Sequence, residues 1–387
     1  MSLHPPIGGL LNVFKPRGWS SFHIVGHMRK LTGIKRIGHA GTLDPFAEGV
    51  LPILIGRSTR LLSYMDEDVK QYRVVLVPGN DTTTQDLVGE VVRSASPDYQ
   101  WVEALSIDNY SMVRESLQSV LGTSQQLTPL YSAVKVDGRP LYDYARKGVE
   151  PPRRPIREIT VTQAELKRGF VAEDLTVGLS DEQLHEIEDV LAGEAPGGER
   201  GAFGRLDIIQ SEELPRPRIA LVIDFSVSKG TYIRTLCETL GEQWGTGAYA
   251  YRLQRLAVGD LISSEAALPE SLLTARQMVE NDSMITELST WLAPWWHGPE
   301  GAVSSLAVLE LDGHEAIRMI QGQRLALDLS EARIQAIYPA SAGGDKPAII
   351  VGAYTAGRFI GTVKLQSLQD GILSCTAERM IAASEDL

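Results

Sequence analysis

Four apolar runs of strand length constrain this chain most: GGLLNVFK (8–15), VLPILIG (50–56), YRVVLVPG (72–79) and RIALVIDFSVS (218–228). They are rich in β-branched residues and end at glycine, proline or polar residues, as strands do. Helix-like segments lie between some of them but do not alternate with strands in regular βαβ fashion. The expected class is therefore α+β, with a largely antiparallel mixed sheet. SSFHIVGHMRKLTG (20–33) predicts a helix capped by Ser20 or Ser21, with Phe22, Val25 and Met28 on one face and Gly33 at its end. Further helices are expected near 110–121, over PLYDYARKG, and over TYIRTLCETLGEQWG, where Ile233, Leu236, Leu240 and Trp244 form one stripe.

At 387 residues the chain exceeds what one hydrophobic core usually serves. A main unit is expected over 1–262, a helical connector over 263–302, and a strand-rich C-terminal domain over 303–387 with one helix near GHEAIRMIQG. Between about 167 and 217 the texture turns acidic and Gly-rich, with one weak helix around DEQLHEIEDVL. It is expected to be a solvated insertion at a hairpin.

The formal net charge is −12, yet the charge is unevenly spread. Residues 1–70 carry nine Lys/Arg against five Asp/Glu, whereas 166–217 carry five against twelve and 261–387 carry eight against sixteen. A polyanion could meet a locally basic face while the acidic parts point elsewhere. No apolar window approaches a membrane span, and the N-terminus lacks the pattern of a secretory signal, so cytoplasm is expected. Cys237 and Cys375 lie far apart without metal-ligand spacing, and both are expected to be free thiols.

Chemistry concentrates in GHAGTLDPFAEGVLPILIG (38–56), where Asp44 sits in a glycine-flanked turn that runs into an apolar strand. Aspartate before proline is a common turn former and often only bonds nearby amides. A carboxylate pressed against a core strand must find partners or lose its charge, and a nucleophile must stay ionised. Arg234 in SKGTYIRTL, at a helix start entered through Gly230, is a candidate partner, although a solvated surface charge would have the same spacing. Glu48 is expected to face solvent, because Pro45 breaks any helical register with Asp44. His23 and His27 are four apart on a helix but lack a third ligand, so no metal is expected. Three clusters interleave aromatic and basic residues: Lys70, Tyr72 and Arg73; Tyr131, Lys135, Arg139, Tyr142, Tyr144, Arg146 and Lys147; and Lys229, Tyr232 and Arg234. Cations for phosphates and rings for bases suit an extruded nucleotide.

These stretches together resemble the bacterial TruB family of tRNA pseudouridine synthases, which isomerise uridine 55 in the T arm. GHAGTLDPFAEGVLPILIG is similar to the family's aspartate motif, KQYRVVLVPGNDTTTQD to its tyrosine motif and YSAVKVDGRPLYDYARKG to its middle signature. SKGTYIRTL and YRLQRLAVG resemble its last two motifs. The match runs in register over about 1–165 and 218–260, and more weakly over 303–387. The resemblance implies a pseudouridine-synthase fold with a PUA-like C-terminal domain. It further implies that Asp44 is the nucleophile, that Tyr72 stacks on the target base and helps to move a proton, and that Arg234 pairs with Asp44. Tyr232 and Leu253 would line the uridine pocket, His39 would enter the tRNA elbow as the base leaves it, and Lys15 would lie near the entrance. No cofactor, metal, membrane or guide RNA is implied; the partner is tRNA, through its T arm, and a monomer is expected. A tRNA-binding folding chaperone is the alternative, disfavoured because a pure binder needs no carboxylate at the site.

Overall fold

The computed structural model describes residues 8–65, 68–96, 98–193, 216–280, 288–328, 349–369, 372–383 and 386. Its centre is a ten-stranded sheet. The spatial order is Trp296–His297, Gly8–Lys15, Glu48–Gly56, Ala248–Val258, Lys70–Pro78, Ile219–Val227, Ile156–Val171 and Gly122–Leu127. Ile37–His39 adds to Glu48–Gly56, and Leu261–Ile262 to Ala248–Val258. Among the described pairs of this sheet only Ala248–Val258 and Glu48–Gly56 run parallel, through Gln254 opposite Glu48 and Arg255 opposite Gly49. The expected α+β class with a largely antiparallel mixed sheet therefore holds.

The strand sequences read as nearly continuous apolar runs because both faces of the sheet are covered. One face packs Tyr72, Val74, Leu76, Leu221, Ile223, Phe225 and Leu253 against the helices Gln100–Ser119 and Ile233–Gln243. The other presents Val75, Val77, Val222, Tyr249 and Tyr251 to Leu184, Ile187 and Leu191 of the helix Asp181–Ala192. That helix belongs to the acidic insertion, which is thus not a solvated excursion over its described part. Its 3.6-residue spacing of leucine and isoleucine supplies a buried stripe, and Ser180 caps it through a reciprocal bond with Gln183. Residues 194–215 of the insertion lie outside the described residues.

The helix Ser21–Thr32 is capped by Ser20, whose hydroxyl accepts from the His23 amide at 3.1 Å, and it ends at Gly33 with φ +72°. Its buried face is Ile24, Val25, Met28 and Leu31. Phe22, expected on that face, is 74% exposed, because the i, i+4, i+7 row through Ile24 sets the stripe that meets the core. The helix expected near 110–121 forms part of Gln100–Ser119, which is interrupted at 107–110 by non-helical backbone.

Leu272, Leu288, Trp291 and Leu292, from the expected connector, pack with Leu11, Ile24 and Met28. The connector is not wholly helical, since Trp296–His297 joins the edge of the main sheet. A five-stranded second sheet, Val308–Glu310, Ile349–Thr355, Arg358–Gln369, Ile372–Met380 and Leu325–Asp328 in spatial order, carries the helix Gly313–Ile320 and a core of its own. It joins the main body through Phe359 and Ile381 against Leu10, Leu54 and Leu61, the Arg57–Asp386 ion pair at 2.7 Å and the Tyr64–Thr362 hydroxyl contact at 2.9 Å. Among the described residues no helix is long and apolar enough to cross a membrane.

Candidate active site

Three features of the sheet gather the site. The turn carrying Asp44 immediately precedes Glu48–Gly56. The parallel pairing lays Leu253–Arg255 beside that strand's start, while the antiparallel pairing with Lys70–Pro78 sets Tyr72 opposite Arg255 and Val74 opposite Leu253. Phe225 pairs with Tyr72 on the other side, and its strand continues through Gly230 (φ +77°) into the helix that begins at Ile233. Asp44, Tyr72, Tyr232, Arg234 and Leu253 thereby converge on one open cleft of about 860 Å³.

Arg234 is the hub. Its guanidinium is 3% exposed, lies 2.8 Å from Asp44 Oδ2 and 3.6 Å from Asp86 Oδ2, and donates to the backbone carbonyls of Thr84 at 2.5 Å and Tyr131 at 2.8 Å. A planar fork with five donors can serve partners in several directions at once. Asp44 itself is 37% exposed, so the burial expected of the carboxylate falls on its cationic partner instead. Asp86 is buried, and burial raises its carboxyl above the ordinary carboxylate range despite the opposing Arg234 charge and the bonds from Thr84 and Val88. Sequence reasoning did not single out Asp86; the signal was a carboxylate closing the polar turn NDTTTQD just before apolar Leu87 and Val88.

The turn of Asp44 is held from several sides. Ser21 Oγ donates to the Leu43 carbonyl at 3.2 Å and accepts from the Leu43 amide at 3.0 Å. Gly18 N donates to Pro45 O at 2.8 Å. Arg255, fully buried, donates to Gly41 O at 2.8 Å and Val50 O at 2.7 Å, bridging the turn to the strand that follows. Gly41 has φ +66°, and a Cβ there would come within 3.0 Å of the Arg255 guanidinium. Tyr232 sits at the helix start with its peptide clasped by Gln126, which accepts from Tyr232 N at 2.8 Å and donates to Tyr232 O at 3.1 Å. Burial raises the Tyr232 phenol above its ordinary range.

Lys15 requires a correction. It does not lie at an entrance: it is fully buried, and its ammonium donates to Ala47 O at 2.5 Å, Trp19 O at 2.7 Å and Pro16 O at 2.9 Å. Burial pushes it down to about 7, while Glu48 and Asp44 oppose that shift. Its place is under the turn as a brace. Glu48 likewise does not face solvent; it pairs with Arg17 at 3.3 Å, and burial raises its carboxyl although Arg17 opposes the shift. His39 does not line the cleft. It lies edge-on to exposed Phe22, with ring centroids 6.1 Å apart. Arg157 and Lys229 add positive charge to the cleft wall, whereas Lys70, which also borders it, is buried and donates to Asp68 O at 2.7 Å.

Residues 29–179 match the TruB family pseudouridylate synthase N-terminal domain. The chain is 35% identical over 266 residues to "tRNA pseudouridine synthase B" of Syntrophotalea carbinolica, covering 69% of each chain. It is 33% identical over 353 residues to the protein of that name in Bacillus subtilis, covering 89% of this chain and 98% of that one. Among solved structures, a chain of the archaeal box H/ACA sRNP Nop10-Cbf5 complex shares the fold with a TM-score of 0.60 at 16% identity, covering 99% of this chain and 88% of that one. Fold, site and relatives together define an isomerase of the pseudouridine synthase class. Within that class, this chain belongs to the TruB family.

Proposed function

We propose that this protein converts uridine 55 in the T arm of tRNA to pseudouridine, with Asp44 as the nucleophile and without a guide RNA. The observation that carries the reading is the Asp44–Arg234 ion pair at 2.8 Å in a cleft that Tyr72, Tyr232 and Leu253 also line. The names of the relatives supply tRNA as the substrate, and tRNA in turn favours the cytoplasm.

The reaction breaks the bond from ribose C1′ to N1, turns the base, and joins C1′ to C5; a proton leaves C5 and N1 gains one, so nothing is oxidised or reduced. The base must first leave its stack, at a cost of a few kcal/mol, and each base–aromatic stack returns about 1–3 kcal/mol. Tyr72 offers such a face at the cleft, along with a phenol for the proton that departs C5. A bound base would cover the exposed part of Asp44 and exclude the water that could trap a detached base. Arg234, anchored on two carbonyls, aims the carboxylate that it pairs with.

The test is incubation with an unmodified tRNA transcript, followed by carbodiimide treatment and primer extension. A stop reporting position 55 is expected with the wild type and none with Asp44→Asn, while the variant still binds tRNA. Binding without product from the wild type would favour the chaperone reading instead.

A further inference from the structure

The inserted helix Asp181–Ala192 touches the rear of the site at three points, each next in sequence to a residue of the cleft or its bracing loop. Glu188 forks between two arginines: its Oε2 lies 2.9 Å from Arg17 and its Oε1 accepts from Arg252 Nε at 2.8 Å. Val190 O accepts from Arg73 at 3.2 Å. Strand side chains alternate between faces. Arg252 and Arg73 therefore point to the helix, while their neighbours Leu253 and Tyr72 line the cleft.

Arg17 connects this fork to the Asp44 turn. It follows Lys15 and Pro16 and pairs with Glu48 at 3.3 Å; its neighbours Gly18 and Lys15 bond Pro45 O and Ala47 O. Arg252 is 7% exposed, Arg17 23% and Glu188 itself 35%, so the fork is open to water at the carboxylate and shielded on the Arg252 side. Burial would raise the Glu188 carboxyl, but Arg252 and Arg17 outweigh it and hold the group below the usual range. Two arginines facing Glu48 alone would leave an uncompensated positive charge in this partly buried place, and such charges are costly.

We infer that Glu188 is a positioning residue for the reaction: by clamping Arg17 and Arg252 it fixes the loop 15–18 against residues 44–48 and so holds Asp44 over the cleft. The kinetic half of this inference rests on the proposed function; the conformational half does not. A misplacement of the nucleophile by about 1 Å costs on the order of 100-fold in rate, and a partial loosening less.

The test compares the full-length wild type with Glu188→Ala and Glu188→Gln in two assays. Hydrogen–deuterium exchange across peptide 38–48 should rise by about ten-fold in Glu188→Ala, and less in Glu188→Gln, which keeps the volume and one acceptor. Single-turnover conversion of tRNA should fall by about ten-fold or more in Glu188→Ala, with tRNA Kd within about two-fold of the wild type. Combining Glu188→Ala with Arg17→Met should add little further loss of rate, because both break the same link. Unchanged exchange and rate in a folded variant would overturn the inference, as would a loss of affinity equal to the loss of rate. If Glu188→Ala fails to fold, Glu188→Gln decides by the same criteria. A wild type that converts no tRNA would refute the proposed function, and the exchange comparison would still decide whether Glu188 holds the turn.

Discussion

Replacing Arg234 by lysine keeps the charge and removes the fork, which separates two explanations of how the site works. The guanidinium reaches Asp44, Asp86, Thr84 O and Tyr131 O from one side chain. A lysine ammonium is a single point on a shorter stem and cannot serve two carboxylates and two carbonyls in different directions. Each buried carbonyl left without a donor costs about 1–3 kcal/mol, so stability should fall by about 2–5 kcal/mol in urea titrations. The ion pair with Asp44 is also lost or displaced. Removing a preorganised group of this kind typically costs about 2–4 kcal/mol of transition-state stabilisation, or roughly 30- to 1000-fold in single-turnover rate. Affinity for tRNA should stay within about three-fold, since a side chain buried to this degree is not a phosphate contact. Filter binding and rapid-quench conversion of a labelled transcript would measure both. A lysine variant that reacts within about three-fold of the wild type would show that charge alone suffices, and an equal loss of affinity and rate would show that Arg234 holds phosphate instead.

Lys15 makes stability depend on pH in an unusual direction. Between about 7 and its ordinary 10.5 the unfolded chain holds a proton that the folded one does not, so stability rises with pH across that window. The wild-type stability minus that of Lys15→Met should therefore increase from the lower to the upper limit, and a flat difference would refute the burial argument. Gly49 has φ +110° with a would-be Cβ 2.2 Å from the Arg255 carbonyl, so Gly49→Ala should lower stability by more than about 2 kcal/mol and reduce soluble yield. Deleting residues 173–214 with a short Gly/Ser bridge removes Leu184, Ile187 and Leu191 from the core. The lost burial is worth about 5–8 kcal/mol, and the shortened chain should aggregate; a folded, active product would refute the packing role of the helix.

Much of the local structure was legible from spacing. The four apolar runs became strands, and the capping serine and terminal glycine marked the ends of the helix Ser21–Thr32. The stripe of Ile233, Leu236 and Leu240 is buried as its period required. Asp44 stood out because a carboxylate in a glycine-flanked turn before an apolar strand is chemically conspicuous. Asp86 did not, because its importance lies in what it faces, and a charged residue at the end of a polar turn has an ordinary surface explanation. Glu48 misled for the same reason: charged side chains are usually solvated, and only its pairing with Arg17 shows otherwise, while Lys15, which the resemblance put near the entrance, is likewise revealed as buried only by the carbonyls around it.

The sequence by itself determined the backbone's local periods, the turn that carries a carboxylate, and the uneven charge that leaves one part basic. These follow from dihedral preferences and from side chains a few residues apart. The gathering of Asp44, Tyr72, Leu253 and Arg234 in one cleft, which only the family resemblance had implied, is made by the tertiary structure, and the tertiary structure alone decided that the inserted helix backs it. Those meetings depend on the register of strands far apart in the chain, and register is set by burial summed over the whole sheet rather than by any one stretch.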